Sequence, residues 1–173
     1  MILATHGIIG AGLASFFPNN FGLAFAVSFA SHFALDIIPH WDYELLSQTK
    51  NKENRLEEDI KIGKNFFLDL AKIILDVAIG SVLAVLFFHY WLGASWLLVL
   101  IGVAGGVLPD ALQFAYFKIR REPLRVLQKF HLKVHSGNES LKEKFPKAGI
   151  FLQILFNAFF ILLVFGWGSG RYL

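Results

Sequence analysis

The chain has 173 residues, 55% of them hydrophobic, with a mean hydropathy of +0.55 and a formal net charge of only +3. Apolar content of that order, gathered into long runs, exceeds what a soluble domain of this size carries. The small basic excess, confined to two local clusters, makes nucleic acid a poor fit as a partner. Cysteine is absent, which removes disulfides, thiolate metal ligands and cysteine nucleophiles from consideration.

In chain order, five apolar segments approach the ~20 residues that cross ~30 Å of hydrocarbon. They lie at about 2–17, 21–38, 66–88, 95–117 and 148–167. The first lacks a basic leader and an A-x-A-like cleavage site, so it is expected to be a retained helix rather than a signal peptide. "PNN" at 18–20 reverses the chain into the second segment, since Pro and Asn punctuate helices. The sequence shows no internal repeat. The expected fold is all-α: a polytopic membrane helical bundle of about five transmembrane helices, one integral-membrane domain over 1–173, with interfacial helices in two cytoplasmic loops.

Orientation follows from the cations. Loop 39–65 holds Lys50, Lys52, Arg55, Lys61 and Lys64, and loop 118–147 holds nine more, among them Lys118, Arg120, Lys142 and Lys144. The short connections at 18–20 and 89–95 hold none. The positive-inside rule then places both basic loops and the amino terminus in the cytoplasm, with the carboxyl terminus outside. Tyr90, Trp91, Trp96 and Trp167 mark the opposite interface as an aromatic belt, with His89 among them. The expected location is the cytoplasmic membrane.

Against this apolar background the stretch "SHFALDIIPHWDY" (31–43) is anomalous. His32 and Asp36 lie one turn apart on one face of the second segment, and His40 and Asp42 follow Pro39 just outside it. His6 and Asp110 sit at a similar depth, roughly 5–12 Å inside the cytoplasmic end at 1.5 Å per residue. His131 and His135 follow in the second basic loop, within "FHLKVHS". Carboxylates at membrane depth are expensive unless partnered, so the set is read as functional rather than as isolated helix–helix hydrogen bonds. Asp69, Lys72 and Asp76 are the exception, because they can pair along their own helix. Imidazole and carboxylate without sulfur suit Zn²⁺, with Mn²⁺, Fe²⁺ or Ni²⁺ as alternatives. His6, His32, Asp36, Asp110, His131 and His135 exceed one closed zinc site, so an open centre or two ions is expected. Asp42 is a candidate general base, and His40 a ligand or the acid for the leaving group.

Around the last two histidines, Pro123 is placed to open a helix and Ser136–Gly137 to close it. It would carry Leu124, Leu127, His131 and His135 on one side and Arg125, Lys129 and Lys133 largely opposite. Such a helix would lie on anionic lipid. The stretch 42–64 is expected to be a mixed-charge surface helix with no site of its own.

These elements resemble the membrane-bound metal-dependent hydrolases of the YdjM type. His6 matches that family's amino-terminal histidine, "VLPD" ending at Asp110 its L-P-D element, "HLKVHS" its H-x-x-x-H-S element, and "SHFALD" its S-H-x-x-x-D element. The order is rearranged, with S-H-x-x-x-D ahead of L-P-D. The Asp-His that follows L-P-D in many members is missing here, and "PHWD" is a candidate replacement. The resemblance implies a metal and a membrane, and a hydrolase more generally. The resulting expectation is hydrolysis of a phosphoester in a lipid or lipid-like substrate at the cytoplasmic face. A metal or proton transporter would instead need ligands continuing toward the far side, and a scaffold with a structural metal would need only four.

Overall fold

In a computed structural model the chain is described over residues 1–51, 53–135 and 146–168. Lys52, Ser136, Gly137, Lys142, Lys144 and Arg171, which figure in the charge and helix-end expectations, lie outside the described residues. The fold is an all-α bundle. Helix α1 (Leu3–Ala14) is buried at every position but Leu13. A helix that is apolar all round has no solvated face and goes inside, and here α2, α3, α4 and α6 surround it. Asn20 accepts a 2.9 Å hydrogen bond from the Leu23 amide and so starts α2 (Phe21–Asp36). At about 18 Å and 24 Å these two helices are shorter than a bilayer's hydrocarbon core. They form an inner hairpin.

Three helices are long and apolar enough to cross a membrane. The first is α3 (Lys64–Ala84), continued by a π-helical stretch, Val85–Trp91, in which the Leu92 amide reaches the Phe87 carbonyl at 3.1 Å. The second is α4 (Trp96–Ile119), which Ser95 caps through its hydroxyl oxygen. The third is α6 (Pro146–Gly168), separated from α4 by α5 (Leu124–His135). Gly102 and Gly106 bring α4 against α1. A Cβ at Gly102 would lie 2.5 Å from the Ala11 Cα, and one at Gly106 would collide with the His6 carbonyl. Larger residues there would push α4 away from the hairpin that carries His6 and His32. The far half of the bundle is closed by Phe88, Leu98, Val99, Val103 and Val164 around Ile8 and Ala11.

The segment between α2 and α3 corrects the expected surface helix. It forms a two-stranded antiparallel hairpin, β1 (Gln48–Thr49) with β2 (Asp59–Ile60), interrupted by a single 3₁₀ turn, Arg55–Glu57. The physical cause is local. The Asn51 side chain accepts from the amides of Glu53 and Asn54, and the Asn54 side chain accepts from the Leu56 amide. Such side-chain-to-backbone bonds compete with a continuous helix. The segment lies over the end of α4. Arg120 donates to the carbonyls of Leu56 and Glu58 at 2.7 and 2.8 Å, Tyr116 donates to Leu56, and Lys118 holds Asp59 and the Ile60 carbonyl. Lys118 also keeps the Asp59 carboxyl below its usual range. We call this segment the roof.

Candidate metal centre

Asp36, the last residue of α2, is fully buried and sits at the meeting point of four elements. Its Oδ2 lies 2.9 Å from His135 Nε2, 3.1 Å from His32 Nε2 and 3.2 Å from His131 Nε2. Its Oδ1 faces His6 Nε2 at 3.2 Å, the Met1 amino group at 3.1 Å and His40 Nε2 at 3.9 Å. Asp110 approaches from α4, with Oδ1 3.6 Å from both His32 Nε2 and His131 Nε2. The structure thus gathers His6, His32, Asp36, Asp110, His131 and His135 at one end of the bundle. It adds His40 to them. His131 is buried and His135 is 24% exposed, so neither turns to bulk solvent.

The ring orientations carry the chemical argument. His32 Nδ1 donates to the Gly106 carbonyl at 2.8 Å, and His40 Nδ1 donates to the Ile38 carbonyl at 2.7 Å. A carbonyl can only accept, so both rings carry a proton on Nδ1, and His40 Nε2 accepts from the Met1 amino group at 2.5 Å. Burial, and after it the Met1 ammonium, holds the His40 imidazole down at about 4, so that ring is neutral at pH 7.

Imidazole rings and the Met1 ammonium crowd one buried carboxylate: Asp36 Oδ2 lies 2.9–3.2 Å from three ring nitrogens, and Met1 bridges His40 Nε2 and Asp36 Oδ1. Both His6 nitrogens are buried without a hydrogen-bond partner among the described residues, although Nε2 is close to Asp36. A cation among these atoms would take up the unpartnered His6 nitrogen and share Asp36 with the surrounding rings. Donor type and charge fit a divalent ion. Three groups could hold one, each with its ligand atoms within 4.8 Å of one another: His6, His32 and Asp36; His32, Asp110 and His131; Asp36, His40 and His135. His32 belongs to two of these groups and Asp36 to two. The Gly106 bond of His32 orients that ring with Nε2 toward Asp36, the outer contact a metal-ligating histidine uses.

Other residues fall outside this centre. Asp42 is half-buried and lines a cavity of about 410 Å³ that also touches Asp110 and His135. His89 lies in the π-helical stretch at the far end of the bundle, where its Nδ1 donates to the Ala94 carbonyl at 2.8 Å and its ring meets Tyr90 and Trp96. Asp69 pairs with Lys72 at 3.2 Å as expected, and also accepts from the Ser47 amide and hydroxyl at 2.7 Å. Asp76 does not pair with Lys72. It accepts from the amides of Leu3 and Ala4 at 2.8 and 3.2 Å and from the Tyr43 hydroxyl, because the open amino end of α1 is the stronger claimant for a half-buried carboxylate. Sequence reading gave no signal for Gln128, a buried side chain on α5, nor for Glu58, an acid buried under the roof.

The fold and site together define a helical membrane bundle with a buried His/Asp cluster able to hold a metal ion. Among known proteins, no family model, no curated protein and no solved structure matches the chain.

Proposed function

We propose that this chain is an integral-membrane, metal-dependent hydrolase that acts on a phosphoester of a lipid or lipid-like substrate, in the manner implied by the YdjM-type resemblance. The convergence of the Nε2 atoms of His6, His32, His131 and His135 on Asp36, each within 3.2 Å, carries this reading. His6, His32, His131 and His135, with Asp36 and Asp110, are the ligand set, Zn²⁺ the favoured ion. His32 and Asp36 each belong to two of the three groups, and the set exceeds what one closed four-ligand site would need, so it could hold one or two ions. A divalent ion there would supply Lewis-acid charge to substrate oxygens and acidify water. His40 is poorly placed as an acid, since it is neutral, its Nδ1 proton is committed to Ile38 and its Nε2 accepts from the Met1 amino group. Asp42, on the adjoining cavity wall, is assigned as the base that accepts the proton of the attacking water.

The cationic loops put the site end of the bundle in the cytoplasm. Helix α5 supports docking on anionic lipid: Gln128 and His131 face inward, while Arg125, Lys129 and Lys133 are exposed beside Val126 and Phe130.

The test is phosphodiester hydrolysis and ion flux measured on reconstituted wild type, His32→Ala, Asp36→Ala and His89→Ala. Hydrolysis should fall at least ~10–100-fold in the first two variants, the usual loss when a ligand or its supporting partner is removed. His89→Ala should match wild type. Ion flux abolished by His89→Ala, with no hydrolysis in any sample, would replace this reading with a transporter.

A further inference from the structure

A second pocket, separate from the cavity beside the cluster, lies along the outer side of α3. It is a groove of about 290 Å³ between Lys72, Leu75, Asp76 and Ile79 of α3 and Ile2, Trp41 and Tyr43. The spacing of the four α3 residues puts them on one stripe of that helix. Leu75 and Ile79 are 61% and 49% exposed, so the stripe faces what surrounds the bundle. With its π-helical continuation, α3 is long and apolar enough to cross a membrane. What surrounds it there is lipid.

Depth decides which part of a lipid meets each residue. At 1.5 Å per residue, Lys72 lies about 28 Å along this helix from Trp91, close to the ~30 Å of bilayer hydrocarbon. Trp91 is exposed in the aromatic far end of the bundle, which puts Lys72 at the head-group level of the other end. Trp41 and Tyr43 beside it are amphipathic rings of the kind that favour that interface. Leu75 and Ile79 follow about 4.5 and 10.5 Å deeper. Lys72 Nζ donates to Asp69 at 3.2 Å, which uses one of the three donors of an ammonium. Its side chain is otherwise 47% exposed. The groove's carboxylate, Asp76, already accepts from the Leu3 and Ala4 amides and the Tyr43 hydroxyl, so its charge is largely engaged.

We infer that this groove binds one glycerophospholipid of the bilayer, with its phosphate at the Lys72 ammonium and one acyl chain laid over Leu75 and Ile79. Charge and depth select that occupant together: an exposed ammonium at head-group level takes a phosphate, and the apolar stripe below it takes a chain. The volume lies just below that of small-molecule sites, ~300–1,000 Å³. It suits part of one chain, and the rest of the lipid stays in the bilayer. No groove residue belongs to the proposed ligand set, so the inference does not rest on the hydrolase reading. Tyr43 also lines the ≈ 410 Å³ cavity, which makes it a wall common to both.

The probe is phosphatidylglycerol with a photoreactive diazirine in one acyl chain, applied at trace level to delipidated full-length protein in dodecyl maltoside micelles. Diacylglycerol carrying the same chain is the comparison without phosphate. Phosphatidylglycerol should label peptides over residues 72–79 and 41–43 about tenfold more than diacylglycerol does. Lys72→Gln should remove most of that difference, and Lys72→Arg should keep it. Ile79→Trp, at an exposed position, should cut labelling about tenfold by filling the groove, and Leu75→Trp serves the same purpose should that variant fail to fold. Leu162→Trp, on an exposed face of α6, should leave labelling unchanged. Absent labelling at 72–79, equal labelling by diacylglycerol, or labelling spread evenly onto α6 overturns the inference. So does labelling unaltered in folded Lys72→Gln and Ile79→Trp, or a dimer in the micelle that buries the groove and excludes the probe.

Discussion

Asp76 gives α1 an acceptor that its own sequence lacks. Ile2 at the cap position offers no side-chain oxygen, so the amides of Leu3 and Ala4 would face a dry interior unpaired without the carboxylate from α3. Capping bonds of this kind are worth about 0.5–2 kcal/mol. Asp76→Ala is therefore expected to destabilise the protein by about 1–2 kcal/mol. Because α1 also carries His6, the substitution should weaken metal retention without removing a ligand. Thermal melts with and without zinc check this, and a variant as stable as wild type in both would contradict it. The same residue marks the limit of reading side chains from spacing. His32–Asp36 and His131–His135 were legible because helical spacing fixes a shared face. Asp76 was misassigned to Lys72 because its true partner is backbone from a distant segment, which leaves no pattern in sequence. His40 was seen, but its tautomer became legible only once Ile38 was placed beside it.

At the scale of elements, the roof is held by one end of another element. Arg120 has a left-handed backbone (φ 53°), ends α4 there, and reaches back to the Leu56 and Glu58 carbonyls. Arg120→Ala removes both bonds at once. Charge-assisted hydrogen bonds contribute ~1.5–3 kcal/mol each where buried and less when exposed, so the roof should loosen while the bundle stays folded. Hydrogen exchange over residues 45–62 should accelerate about tenfold, with α1 and α4 unchanged; no change in that segment would show that the bundle itself holds the roof. The helices were legible because apolar runs and the "PNN" stop are properties of contiguous sequence. The roof was not, since its charge pattern also suits a helix and the asparagine turns that break it are short-range competitors with no periodicity. The lengths of α1 and α2 also needed the fold: an apolar run of helical length does not say whether it spans or tucks inside.

Across the whole molecule, polarity is divided between the two ends. Ligand candidates, roof and basic helix occupy one end, while the described far end is aromatic, with His89 bonded to its own chain. That division predicts topology. Reporter fusions after Ser47 and Lys142 should both read cytoplasmic and one after Arg171 external; an external reading after Lys142 would invert the arrangement. It also makes the metal centre the claim on which the rest depends. An acceptor-rich cluster inside a membrane bundle is stable when a cation shares it, and the donors here are nitrogen and oxygen alone. The most direct measurement is X-ray absorption at the zinc edge on purified, zinc-loaded protein, with metal content determined in parallel for wild type and His32→Ala. The account predicts one or two tightly held ions per chain with nitrogen and oxygen neighbours at ~2.0–2.2 Å, an imidazole scattering pattern, and loss of most of the metal in His32→Ala. Wild-type protein that retains no zinc after loading, or a variant that binds it equally well, would contradict it.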